Sequence, residues 1–153
     1  MRLHDIGLVI PLIDPELDVL ADVRESLLQD GILAMVSGKP AMDRVQDKLR
    51  TAELFASAGS PGPKTMAVTS QGAESLVEGI GLPLVLKPRF GSSGKGIFIC
   101  STPSAVERAL ADLEGPYIAQ QFVAGPEVTI DVFGDGDGNV LSLVPRKRLK
   151  VRA

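Results

Sequence analysis

The chain reads as an α/β protein whose second part turns α+β, and three observations predict that. An apolar run, an amphipathic helix and a second apolar run succeed one another over residues 6–36. A Ser60-Pro61-Gly62-Pro63 connector, unfit for helix or central strand, then interrupts the pattern. Beyond it, apolar strands flank a glycine-rich loop, and the last third alternates as antiparallel pairs.

Residues 6–13 form an apolar run of β-rich composition, predicted as a buried strand. Asp14-Pro15 ends it, with Asp14 expected as N-cap and Pro15 as first helical residue. Leu17, Leu20, Val23 and Leu27 recur at helical spacing over 15–29, and Asp30-Gly31 stops the helix. Residues 32–36 are a second apolar run, and strand–helix–strand at these lengths implies parallel strands. Residues 37–40 read as loop. A single helix is expected over 42–58, with Val45, Leu49, Ala52 and Phe55 on one stripe and Gly59 as its stop.

After the connector, a short strand is predicted over 64–68 and a short helix over 70–79. Then comes Leu84-Val85-Leu86-Lys87-Pro88-Arg89-Phe90-Gly91-Ser92-Ser93-Gly94-Lys95-Gly96, leading into Ile97-Phe98-Ile99-Cys100. Strand alternation puts Val85, Lys87 and Arg89 on one face and Leu84 and Leu86 on the other. The loop exposes backbone N–H groups, and glycine lets such a backbone approach an anion closely. Thr102-Pro103 opens a helix carrying Val106, Leu110 and Leu113, closed by Gly115-Pro116. Strands follow at 117–123 and 127–133, the latter with Val128, Ile130 and Val132 opposite Glu127, Thr129 and Asp131. A loop at 134–139 precedes an antiparallel return over 140–144.

Composition narrows the function. The 153 residues, 44% hydrophobic and 23% charged, suit one domain with a core or two small lobes. A net charge of −3 argues against a general nucleic-acid binder, so a polyanion would need a local basic cluster. Cys100 is the single cysteine, which rules out a disulfide within the chain and suits a reducing compartment. The apolar runs are too short to span a bilayer, and no signal-like pattern opens the chain. A cytoplasmic protein is the expectation.

Three familiar motifs fail on inspection. Arg89 occupies the place of the first glycine of a P-loop, and a strand follows the loop where a P-loop or Rossmann fingerprint opens a helix. Asp135, Asp137 and Asn139 imitate a calcium loop, but Val140 replaces its glycine and Arg146 its last glutamate, leaving a plain turn. His4 is the sole histidine, so neither a histidine-centred metal site nor a serine triad is available. What remains is distributed: Lys48, Lys87, the loop from Gly91 to Gly96, Gln120 and Glu127. Singly, each has an ordinary reading as a solvated or snorkelling surface residue.

In order and spacing, these residues resemble the ATP-grasp superfamily, most nearly the carbamoyl-phosphate synthase large chain and related carboxylate–amine ligases. The carrying segments are Asp47-Lys48, Leu84-Val85-Leu86-Lys87-Pro88-Arg89, Gly91-Ser92-Ser93-Gly94-Lys95-Gly96, and Ala119-Gln120-Gln121-Phe122-Val123-Ala124-Gly125-Pro126-Glu127. The resemblance implies a partial ATP-grasp fold over 41–153, with a glycine-loop lobe at about 62–123, preceded at 1–40 by the end of a Rossmann-like domain. It implies ATP as ligand. Lys48 and Lys87 would reach the α- and β-phosphates, and Gly91, Ser92, Ser93, Gly94, Lys95 and Gly96 would close over the β- and γ-phosphates. Gln120 would take the adenine amino group, with Gln121, Phe122 and Val123 beside the base and a backbone contact from Val123. Many relatives carry a glutamate in place of Gln120; the amide keeps an acceptor but loses the charge. Glu127 would hold the ribose hydroxyls. Arg146 or Arg148 would face the transferred phosphate or acyl phosphate, Arg146 being the catalytic candidate because it continues the face of Ser142 and Val144, within a basic end that also holds Lys147, Lys150 and Arg152.

The resemblance further implies magnesium, with ligands on later strands outside this sequence, and small carboxylate and amine substrates. An internal piece of a longer ligase is therefore the expectation, incomplete for catalysis alone. Exposed core surface at its ends would favour a homodimer or a partner chain. The alternatives are a non-catalytic nucleotide-binding or assembly module completed by another chain, and a structural α/β domain whose loop binds nothing. Neither nucleic acid nor membrane is an expected partner.

Overall fold

In the computed structural model, residues 5–70, 72–91, 94–135 and 137–149 are described. The chain divides into two compact units, Met1–Phe122 and Val123–Ala153.

The first unit opens with β1 (Leu8–Val9), α1 (Asp14–Gln29) and β2 (Leu33–Ala34), and β1 pairs with β2 in parallel as the strand–helix–strand pattern requires. Both strands are shorter than the apolar runs that contain them. Ile6, Leu8 and Ile10 are about half exposed, and the sheet at Leu8 has only two described strands. Helix α1 begins one residue earlier than expected. Ile13 occupies the cap position without a side-chain bond, and Glu16 Oε2 accepts from Leu12 N at 3.0 Å, so Asp14 is not the cap. Asp14 and Glu16 still place negative charge in the first turn, where the helix dipole favours it.

The single helix expected over 42–58 is two helices, α2 (Lys39–Val45) and α3 (Lys48–Ser57). The sequence expected to loop at its start supplies the first turn of α2, with Pro40 tolerated there. The break falls at Asp47, whose carboxylate accepts from Leu49 N and Arg50 N and so caps a new helix. Lys39 ties α2 to α1, its ammonium lying 2.5 Å from Asp18 Oδ1, 3.1 Å from Asp43 and 3.5 Å from Asp22. The surrounding carboxylates hold that ammonium charged well above the usual lysine range.

After the connector come β3 (Thr65–Ala67), α4 (Ala73–Ile80), β4 (Leu84–Pro88), β5 (Phe98–Cys100), α5 (Pro103–Ala111) and β6 (Tyr117–Gln121). They build a four-stranded antiparallel sheet of order β3-β6-β4-β5. One face is the core: Leu84 and Leu86 of β4, Cys100, Tyr117 and Ala119 pack with Leu76 and Ile80 of α4 and Val106 and Ala109 of α5. Each such aliphatic side chain contributes roughly 1.5–3 kcal/mol by leaving water, so this face anchors the unit. Cys100 is free and buried here, its thiol pushed up in pKa by burial. Thr102 caps α5 by accepting from Ala105 N at 3.2 Å. None of the helices among the described residues is long and apolar enough to cross a membrane.

The second unit is a hairpin of β7 (Val128–Gly134) and β8 (Val140–Lys147), antiparallel with a register shift between Phe133 and Gly134, and longer at its second strand than the predicted 140–144. Val128, Ile130 and Val132 share one face, Thr129 and Asp131 the other, as alternation predicts. Asp135 organises the turn, its carboxylate accepting from Asp137 N at 2.8 Å, Asn139 N at 3.1 Å and Asn139 Nδ2 at 2.7 Å. Those bonds hold its carboxyl below the usual range and leave a turn rather than a cation loop.

Candidate functional site

The opposite face of the four-stranded sheet carries the polar residues. Antiparallel register sets Thr65 beside Gln120 and Gln120 beside Val85, while Lys87 pairs with Ile118. Lys87 is therefore a diagonal neighbour of Gln120, within reach of a long side chain. Its ammonium donates to Gln120 Oε1 at 2.7 Å, and Gln120 Nε2 donates to Thr65 Oγ1 at 2.7 Å. The Thr65 hydroxyl donates in turn to Pro63 O at 3.0 Å. Thr65 belongs to this arrangement although sequence reasoning passed over it; a threonine opening a short strand carries no signal by itself.

Lys48 approaches the same region from the first residue of α3. Its backbone N–H donates to Arg89 O at 3.1 Å and its ammonium to Gly91 O at 2.7 Å. Arg89 grips Asp47 with two hydrogen bonds, Nε to Oδ1 at 2.8 Å and Nη2 to Oδ2 at 2.7 Å. Asp47 is 3% exposed, the one charged residue in the buried set among the described residues. The Arg89 guanidinium holds its carboxyl below the usual carboxylate range. Arg89 also lies 5.5 Å from the centre of the Phe90 ring, a cation–π contact that further fixes it.

Among the described residues, two cavities are lined by both lysines. One, of about 590 Å³, is lined by Lys48, Lys87, Thr65 and Gln120 together with Leu49, Ala52 and Phe55. The apolar stripe of α3 thus faces an open cavity, and α3 buries none of its residues. The other, of about 200 Å³, lies against the glycine loop and is lined by Lys48, Lys87, Gly91, Gly94, Lys95 and Ile97. Gly91, Gly94 and Gly96 all have positive φ, which a glycine adopts without strain. Gly96 also packs tightly: a Cβ there would meet the Tyr117 hydroxyl at 2.6 Å and Pro88 Cγ at 3.2 Å. Ser92 and Ser93 lie outside the described residues, as do His4, Lys150 and Arg152.

Burial dominates the electrostatics of both lysines, opposed only at Lys48, by the Asp47 charge. Burial lowers the pKa of Lys48, and burial together with the nearby Lys48 charge lowers that of Lys87. Each ammonium is held by a neutral oxygen, and among the described residues neither makes an ion pair. Two partly desolvated cations thus face shared cavities.

The remaining candidate residues make contacts of their own. Gln121 is the last residue of β6, its N–H donating to Lys64 O at 2.8 Å and its Oε1 accepting from Lys64 N at 3.4 Å. Phe122 N donates to Pro83 O. Val123, Glu127 and Arg146 belong to the second unit. There Glu127 Oε1 accepts from Arg148 Nη1 at 2.6 Å, and Arg146 forms a two-point ion pair with Asp131. Arg146 shares a face with Ser142 and Val144, as the alternation implies. Among the described residues no group of three or more histidine, cysteine or acidic side chains gathers to hold a metal ion.

The fold is an antiparallel sheet with one helix-covered apolar face and, on its other face, Lys87 and Gln120, met by Lys48 of α3 beside the glycine loop. The family is shown directly: the model of the ATP-grasp domain matches residues 45–153, more than half of the chain, and the chain belongs to the ATP-grasp family. It is 31% identical to a D-alanine–D-alanine ligase of Desulforudis audaxviator, over 74% of this chain and 40% of that one. The arginine-specific carbamoyl phosphate synthase large chain of Bacillus subtilis is 27% identical over 74% of this chain and 11% of its own length. The solved D-alanine–D-alanine ligase of Coxiella burnetii superimposes with a TM-score of 0.79 over 97% of this chain and 46% of that one. At 15% identity, that likeness shows the fold. The chain thus spans less than half the length of each of these relatives.

Proposed function

We propose that this chain is the ATP-binding portion of an ATP-dependent carboxylate–amine ligase. The observation that carries the proposal is the pair Lys48 and Lys87, both depressed in pKa, held by neutral oxygens and lining the cavity against the glycine loop. Lysine ammoniums act on phosphates as compact point charges, and a polyphosphate restores the charge balance that burial upsets. The adjacent cavity of about 590 Å³ lies in the size range of small-molecule sites, and its α3 wall of Leu49, Ala52 and Phe55 offers an apolar surface for a purine. Gln120 Oε1 keeps a second lone pair beyond the one Lys87 occupies, which supports its role toward an adenine amino group. Residues 1–40 then close a Rossmann-like domain, and 41–153 form part of the ATP-grasp domain.

The reaction proposed for the intact enzyme proceeds in two displacements. A substrate carboxylate oxygen attacks the γ-phosphorus of ATP; the bond to the β,γ-bridging oxygen breaks and ADP leaves. An amine then attacks the carbonyl carbon of the acyl phosphate, loses a proton, and inorganic phosphate departs with the electron pair of the broken C–O bond. This chain's part is to bind and orient the phosphates and to exclude water beneath the loop.

Isothermal titration of Mg-ATP into the wild-type chain and Lys87→Ala tests the reading. Loss of one buried charge-assisted contact weakens binding by about tenfold or more. Equal affinity of the two proteins would remove Lys87 from any phosphate role, and no binding by wild type would remove the nucleotide reading altogether.

A further inference from the structure

We infer that Asp47 and Arg89 are a positioning pair that sets Lys48 against the glycine loop, so that the phosphate-binding groups of two separate elements move as one body. The inference rests on the nucleotide reading above.

Three ties join residues 47–48 to residues 89–91. The Asp47 carboxylate takes both forks of Arg89, Lys48 N–H donates to Arg89 O, and the Lys48 ammonium donates to Gly91 O. Asp47 is at once the cap of α3 and the partner of Arg89. A serine or threonine would cap the helix as well, so the cap alone does not call for a buried carboxylate. The two-point grip does: it fixes the guanidinium plane as well as its distance, which a lysine at 89 would not do. Arg89 is held from its other side, its N–H donating to Pro116 O at 2.9 Å and its guanidinium lying over Phe90.

The residues that follow each partner are the ones that line the loop cavity, Lys48 after Asp47 and Gly91 two places after Arg89. Neither Asp47 nor Arg89 lines that cavity itself. Their influence on an anion is therefore indirect, through where Lys48 and Gly91 stand. Misplacement of binding groups by about an ångström has large effects when several must converge on one ligand.

The test uses the whole chain with Asp47→Asn, which keeps a cap acceptor, Arg89→Lys, which keeps the charge, and the two combined. Circular dichroism melts establish folding, and titrations give the ratio of Mg-ATP to adenosine affinity. Adenosine lacks phosphates and reports on the base cavity alone. Each single variant is expected to lower that ratio by about tenfold, and the double variant by no more than the worse single one, because both break the same tie. A wild-type ratio in either folded variant overturns the inference while leaving the nucleotide reading intact. Equal loss of ATP and adenosine binding, or unfolding of both single variants, makes the pair a stability element and also overturns it. Wild-type protein that binds no Mg-ATP overturns the nucleotide reading and this inference together.

Discussion

The Lys87 ammonium lies 2.7 Å from Gln120 Oε1, and that bond dictates which way the Gln120 amide faces. An ammonium only donates, so the amide oxygen must meet it and the amide nitrogen must turn to Thr65 Oγ1. The threonine hydroxyl hydrogen is then left for Pro63 O. The chain of donors runs one way across the sheet face and ends on a neutral carbonyl. It holds Lys87 in place without neutralising it, which is why burial lowers the Lys87 pKa unopposed.

Replacing Gln120 with glutamate should reverse that balance. A carboxylate at the same place pairs with Lys87 and raises its pKa, and a rise of one unit cuts the neutral, nucleophilic fraction about tenfold at a given pH below the pKa. Quantitative acylation at pH 9 followed by mass spectrometry should show Lys87 of Gln120→Glu labelled several times more slowly than in wild type, to the order of that tenfold limit. Equal labelling would show that Gln120 does not set the charge state of Lys87.

The lowered Lys87 pKa has opposite consequences for stability and for binding. Between the lowered folded value and the ordinary 10.5, the unfolded chain binds the proton that the folded chain has released. This group's contribution to stability therefore rises with pH across that window. Affinity for a polyphosphate needs the charged form and falls as pH climbs through the lowered value. Mg-ATP titrations toward the lysine range should lose affinity before pH 10.5, and Lys87→Ala should show a shallower decline. A wild-type profile flat up to 10.5 would contradict the shift.

Much of this site was legible from alternation and order. Leu84 and Leu86 against Val85 and Lys87 foretold both faces of the sheet, and the order of Lys48, Lys87, the glycines and Gln120 foretold their grouping. What escaped depends on contacts distant in sequence. The stripe Val45, Leu49, Ala52 continues through the break at Asp47, so periodicity alone described one helix. The break is set by Asp47, whose stronger partner, Arg89, lies 42 residues away. Thr65 joins the site only because β3 pairs with β6 in a register that brings it opposite Gln120. The apolar stripe of α3 lines a cavity, which periodicity alone does not tell from a core face.

Acid should unfold this chain in part through Asp47. Its folded pKa lies below the ordinary 3.8 because Arg89 and the α3 N–H groups favour the charged carboxylate. The stability this confers is complete above 3.8 and is lost as pH falls through the lowered folded value. Urea midpoints measured from pH 6 downward should fall less steeply for Asp47→Asn than for wild type. Asp47→Ala should lose about 1 kcal/mol from the cap alone at neutral pH, before any cost of releasing Arg89. Parallel acid profiles of wild type and Asp47→Asn would count against this account.

Gly96 closes the loop onto β4, and its substitution separates backbone strain from crowding. Alanine there must adopt a φ of +70°, and its Cβ would stand 2.6 Å from the Tyr117 hydroxyl. The backbone term alone disfavours a side chain by about 1 kcal/mol or more, and the contact adds to it because Pro88 blocks the other side. Removing the hydroxyl with Tyr117→Phe clears the nearest atom but leaves φ unchanged. Gly96→Ala should therefore be destabilising in both backgrounds, and less so beside Phe than beside Tyr, by denaturant titration. Equal penalties in the two backgrounds would place the whole cost in the backbone, and no penalty in either would show that the loop closes differently.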